Sequence, residues 1–167
     1  MILGLDPSTR IIGYAFYDEL SSKIELGHIK LQSDILQERY KEAAEQIKLL
    51  IKEKKPNKIG IETSFFGKNI GVAIKLAVVR GIITGLVYTM TKARLFEVTP
   101  AEERKALGLD IRKADKQEVH KALEWQFKLL RDMKATDDEL DALAVALATN
   151  IKLKETKYVE DYHRKRI

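Results

Sequence analysis

Two short apolar runs, Met1-Ile2-Leu3-Gly4-Leu5 and Ile59-Gly60-Ile61, each close on a carboxylate, Asp6 and Glu62. Runs of this length and composition read as buried strands. Asp6 is followed by Pro7-Ser8-Thr9-Arg10, where a strand gives way to a turn. A carboxylate that closes a strand of isoleucine and glycine is not there for solubility. If the two strands are neighbours, both carboxylates point at one place.

A third and a fourth acid come from a helix. Thr136-Asp137-Asp138-Glu139 fits a capping box, with Thr136 as N-cap and Glu139 at N3. Asp138 then lies in the first turn and Asp141 shares its face, three residues on. Leu140, Leu143, Leu147 and Ile151 form the adjoining apolar stripe, which leaves Asp141 half-buried. Taken singly, these residues have plainer roles. Acids in a first helical turn complement the helix dipole, and Asp6 before Pro7 suits an Asx-type turn. Four carboxylates in such contexts together favour a metal site. Hard oxygen ligands suit Mg2+ or Mn2+, and that chemistry points to phosphodiester cleavage.

The rest of the chain supplies a frame for these acids. Strand-like runs cover Ile2 to Leu5, Ile12 to Tyr17 and Lys23 to Leu31, with Asp18 to Ser22 as a hairpin loop. An amphipathic helix follows from about Ile35 to Lys54, stopped by Pro56-Asn57 before the strand Lys58 to Glu62. The helix from about Asn69 to Lys92 is apolar on nearly every side, so it is expected to be central, packed against the sheet, and is the candidate contact with a second subunit. Gly81 and Gly85 allow close backbone approach on one side of it. A strand from Arg94 to Val98, a helix opened by Thr99-Pro100, a basic turn around Gly108 and a helix from about Asp115 to Leu130 precede the capped helix. Hairpin strands followed by strands alternating with helices predict an α/β fold, a five-stranded mixed sheet flanked by helices. Residues 1–151 form the expected domain and residues 152–167 a loosely held basic tail.

With 167 residues, 45% of them hydrophobic, the chain is expected to be one domain with a full core. It has no cysteine, which excludes disulfides and thiolate metal sites and suits a cytoplasmic protein. His28, His120 and His163 are too scattered for a zinc motif. No signal peptide is expected, because the start lacks a basic region. The apolar stretch Ile70 to Met90 is broken by Lys75 and Arg80, so no membrane span is expected. The net charge of +5 fits a polyanionic partner, and its placement says more: Arg104-Lys105, Arg112-Lys113, Lys116 and His163-Arg164-Lys165-Arg166 are local basic clusters.

The chain resembles the RuvC family of bacterial Holliday junction resolvases over nearly its whole length. The resemblance is carried by Ile2-Leu3-Gly4-Leu5-Asp6-Pro7 with Arg10 and Gly13-Tyr14, and by Ile61-Glu62 with Phe65 and Lys68-Asn69. It continues in Ala73-Ile74-Lys75-Leu76 with Arg80-Gly81 and in Asp138-Glu139-Leu140-Asp141-Ala142-Leu143-Ala144. It implies a ribonuclease H-like fold in which Asp6, Glu62, Asp138 and Asp141 are the catalytic, metal-binding acids, with two ions of Mg2+ or Mn2+ per subunit. It implies a homodimer that makes paired symmetric nicks in four-way junction DNA during recombination and repair, alongside the RuvA and RuvB branch-migration proteins. Phe65 matches the family's aromatic residue at the junction crossover, and Phe66 is a second candidate for stacking on unpaired bases. Lys105 and Lys116 match two DNA-facing lysines, with Arg112 and Lys113 between them in a loop able to follow a phosphate backbone. Serine stands at position 8 where the family usually has glycine, and a turn needing positive φ would strain it. The rival readings are a junction-binding protein without catalysis on the same fold, and an actin-like phosphotransferase. The latter class carries glycine-rich phosphate-binding turns that are not evident after the first strand.

Overall fold

The computed structural model describes residues 1–63 and 69–164, with the side chains of residues 157–164 excepted. Five strands, β1 (Ile2–Asp6), β2 (Ile11–Asp18), β3 (Lys23–Lys30), β4 (Lys58–Glu62) and β5 (Arg94–Val98), form a mixed sheet in the order β3-β2-β1-β4-β5. The first three form an antiparallel meander, and β1, β4 and β5 run parallel. The hairpin loop closes on Ser22 at φ 52°.

Alternation along the strands divides the sheet into two faces. Leu3, Leu5, Ile12, Phe16, Ile59 and Ile61 point to a core shared with α1 (Leu36–Lys54) and α2 (Ile70–Met90). Ile2, Ala15 and Tyr17 point the other way, to α4 (Lys116–Gln126), α5 (Leu130–Met133) and α6 (Asp137–Arg164). Helix α3 (Pro100–Ala106) packs beside α6 beyond the β5 edge, where Ala106 meets Val98 and Val145. It begins at a capping box built by Thr99 and Glu102, with Pro100 at its start, and α4 begins at a second one built by Asp115 and Glu118.

The central helix is α6. Every residue from Ala142 to Asn150 is buried. Its alanines let it lie close to the strands, and the strands answer with glycine: a methyl group on Gly4 would collide with the Ala142 carbonyl oxygen, and one on Gly13 with that of Asp138. Helix α2, expected at the centre because of its hydropathy, instead lies on the outer layer and buries only Val79, Ile83 and Val87. Ile70 and Ile74 are 74% and 61% exposed, and Val72, Val78 and Tyr88 also face outward. Hydropathy ranks α2 above α6, but close approach to the sheet depends on side-chain size, and α6 is the helix built from small residues.

Past Ile151, where a loosely held tail is expected, α6 continues to Arg164. No proline or glycine interrupts it. Leu153 is buried, Lys152 donates to the Glu97 carbonyl (2.8 Å) and to Glu102 (2.7 Å), Lys154 pairs with Glu19, and Glu155 pairs with Lys105 at 2.7 Å.

Candidate active site

The sheet register brings Asp6 and Glu62 together. Pairing of β1 with β4 in parallel sets Gly4 opposite Gly60 and Leu5 opposite Ile61, so the next residue of each strand is its terminal acid. Alternation puts both acids on the face of Ile2 and Gly4, the side covered by α6. Glu62 hydrogen-bonds Asp6. Burial, that hydrogen bond, and the negative charges of Glu62, Asp141 and Asp138 push the Asp6 carboxyl up to about 8.

The start of α6 brings the two helical acids to the same end of the sheet, with Asp138 over Gly13, the β2 residue paired with Asp6. Thr136 and Glu139 form the reciprocal cap: Thr136 N–H donates to Glu139 Oε2 (2.8 Å) and Glu139 N–H to Thr136 Oγ1 (3.4 Å). Glu139 also bonds His28 Nδ1 at 2.8 Å, tying this turn to β3. Asp137 is exposed, Asp138 is half-buried above Gly13, and Asp141 is half-buried one turn on. Asp141 is held by Lys116 Nζ and His120 Nε2, each at 2.7 Å. Burial disfavours its ionised form, but the hydrogen bonds from His120 and Lys116 outweigh that and keep its carboxyl below the usual range. Among the described residues, no three histidines or acids stand close enough to share one ion as placed, and Asp141 is turned toward Lys116 and His120.

Ser8 is free of the strain expected of it. Positive φ among the non-glycine described residues is confined to Ser22, Lys55 and Lys134. Its hydroxyl accepts from the N–H of Ile11 at 2.9 Å and of Arg10 at 3.3 Å, and so closes the turn that follows Asp6.

Of the basic residues, Lys116 lies within the site, bonded to Asp141 and 3.5 Å from Asp137. Lys105 is exposed and paired with Glu155, and Arg112 and Lys113 are exposed on the loop before α4, which Asp110 holds through their backbone N–H groups. Phe65 and Phe66 lie outside the described residues.

Two site residues escaped the sequence reading. His120 follows Lys116 by one helical turn, and that spacing could have shown that both reach the same neighbour. Glu103 sits on the inner side of α3, 8% exposed, beside the cleft that holds Glu62 and Asp141. Burial first, and then the charges of Glu62, Asp141 and Asp6, push its carboxyl up to about 9 against the opposing influence of Arg104. Its signal was faint: a carboxylate on the same side of a short helix as Ala106 and Leu107.

A family model described as "Crossover junction endodeoxyribonuclease RuvC" matches residues 2–149. The chain belongs to the RuvC family. A RuvC from Campylobacter lari is 31% identical over 159 residues, covering 93% of this chain and 99% of that one. A RuvC from Aliarcobacter butzleri is 35% identical over 149 residues, covering 87% and 95%. Both carry the name crossover junction endodeoxyribonuclease. Among solved structures, Thermus thermophilus RuvC in complex with a Holliday junction substrate superposes with a TM-score of 0.77 at 19% identity, covering 92% of this chain and 94% of that one. The yeast mitochondrial Holliday junction resolvase gives 0.68 at 12% identity, covering 99% and 86%. The RuvC fold, a ribonuclease H-like sheet with flanking helices, is therefore the fold of this chain.

Proposed function

We propose that this chain resolves four-way DNA junctions in homologous recombination and repair by paired symmetric nicks, with Asp6, Glu62, Asp138 and Asp141 as its catalytic acids. The observation that supports this best is the register of β1 and β4, which sets Asp6 beside Glu62 beneath the first turn of α6, in a family of junction nucleases.

The donor set fits Mg2+ or Mn2+, two ions per subunit: all four groups are carboxylates, hard oxygen donors, and burial together with the crowding of these acids is what raises the Asp6 carboxyl. Ions so held activate water and stabilise the leaving 3′ oxygen. The strand ends fix Asp6 and Glu62, while Lys116 and His120 hold Asp141 in orientation. Lys105, Arg112, Lys113 and Lys116 lie on one stretch of chain from α3 to α4, suited to a phosphate backbone. Phe65 or Phe66 serves the crossover.

Two symmetric nicks need two active sites, hence a homodimer. Helix α2 is the interface in this reading. Ile74, Val78, Gly81, Gly85 and Tyr88 repeat at coiled-coil spacing along it, and nothing among the described residues comes within 4 Å of the positions a Cβ would take at Gly81 and Gly85. RuvA and RuvB would supply the migrating junction.

The test is incubation of the protein and an Asp6→Asn variant with a labelled four-way junction and a matched linear duplex, in Mg2+, Mn2+ or chelator. Paired, metal-dependent nicks on the junction alone, absent in the variant, are expected. Tight junction binding without any cut would instead make the chain a binding module.

A further inference from the structure

Glu103 has a buried oxygen with nothing to hold it. Its Oε1 is shielded from solvent and has no hydrogen-bond partner among the described residues. A carboxylate in that position is costly unless a cation or a donor meets it. Of the nearby cations, Lys116 is bonded to Asp141, and Arg104 donates from Nη1 to the Ile111 carbonyl at 3.2 Å while its buried Nε, like Glu103 Oε1, has no partner among the described residues. The side chain borders a cavity of about 140 Å³ whose walls also include Glu62, Asp141 and Lys116. That volume holds a cation together with a few waters. The next residue back, Glu102, has partners in Thr99 and Lys152, so of these two neighbouring glutamates it is Glu103 whose buried oxygen lacks one.

We propose that Glu103 is a fifth carboxylate of the acidic centre, facing the divalent cation from α3 across the cavity it shares with Glu62 and Asp141, directly or through one of the ion's waters. The inference rests on the reading of Asp6, Glu62, Asp138 and Asp141 as a cation site. It adds a ligand group from an element that contributes none of those four, and it gives the buried Oε1 its missing partner. A cation coordinated on this side is held from both the sheet and α3, so α3 is fixed to the site by the metal as well as by its packing on α6.

The test is calorimetric titration of the DNA-free protein with Mn2+ alone, on the wild type and on Glu103→Gln, Glu103→Asp, Glu102→Gln and Asp6→Asn variants. Circular dichroism and melting in chelator establish that each is folded. Glu103→Gln is expected to weaken Mn2+ binding by about 10- to 100-fold. It should also melt higher than wild type in chelator, because an unpartnered buried carboxylate has gone. Glu103→Asp, which keeps the charge but shortens the reach, is expected to weaken binding too, and it carries the test should the glutamine variant not fold. Glu102→Gln, which alters a helix cap and the bond to Lys152 but no group facing the cavity, should bind Mn2+ as the wild type does. Wild-type affinity in both Glu103 variants, with binding lost in Asp6→Asn, would overturn the role of Glu103 and leave the four-acid site standing. Absence of Mn2+ binding by the wild type would overturn the cation site and the role of Glu103 together.

Discussion

Helices α2 and α6 reverse what hydropathy alone suggests. The more apolar helix, α2, presents Ile70, Ile74 and Tyr88 to the outside, while α6, which begins with three consecutive acids and ends among charges, is buried on all sides through its middle. The difference is one of shape. Helix α6 carries alanine where it meets the sheet, and Gly4 and Gly13 leave room for its backbone. The face of α2 that is left over carries large apolar groups around two glycines, a surface that suits another helix. In the proposed function, one helix builds the site and the other offers the surface for assembly.

The largest effect that separates the two helices should fall on cleavage. Asp141→Asn on α6, or Asp6→Asn beneath it, is expected to lower the rate of junction cutting on the order of 10³-fold while junction binding persists, as a gel-shift and nicking assay on the same samples would show. A substitution on the exposed side of α2 that cost as much in single-strand nicking would break the division of roles.

Next in size is the pH response of the acid cluster. Burial and its acidic neighbours raise the Asp6 carboxyl from its ordinary 3.8 to about 8, so the folded state binds more protons than the unfolded one across that window. In chelator, stability should fall as pH rises through it, and Asp6→Asn should remove on the order of 3 kcal/mol of that slope in denaturant titrations at pH 5 and pH 8. Glu103 acts in the same direction, with a folded value of about 9. Divalent ions should flatten the curve. The exposed side of α2 carries none of these acids, so self-association should not follow the same window.

Glycine-to-alanine changes sharpen the contrast by their sign. Gly13→Ala would drive a methyl group into the Asp138 carbonyl and should cost about 1–3 kcal/mol, with cleavage falling further because the first turn of α6 shifts. Gly81→Ala meets nothing among the described residues and should stabilise the separated protomer by about 0.5–1 kcal/mol through helix propensity, while weakening any dimer that packs closely there. Thermal melting and sedimentation at two concentrations would read both.

Smallest in stability, though visible in assembly, is Ile74→Glu. At 61% exposure it should alter protomer stability by no more than about 0.5 kcal/mol. Sedimentation should show dissociation of the dimer, and the paired nicks should separate into unpaired ones. An unchanged sedimentation coefficient would remove α2 from the interface.

The sequence by itself determined the elements and most of the acids' neighbourhoods. Period-two strands gave the two faces of the sheet, and capping residues Thr99, Asp115 and Thr136 marked where helices begin, because these are local effects of side-chain alternation and unsatisfied backbone N–H groups. Asp6, Glu62, Asp138 and Asp141 could be singled out for the same reason, each standing at the end of a recognisable element. The tertiary structure alone decided which helix is central, that Ser8 closes its turn without strain, and that residues 152–164 extend a helix. It also decided that His120 and Glu103 belong beside those acids. Such choices depend on how closely two surfaces fit and on which buried charge lacks a partner, and both are set by groups far apart in the chain.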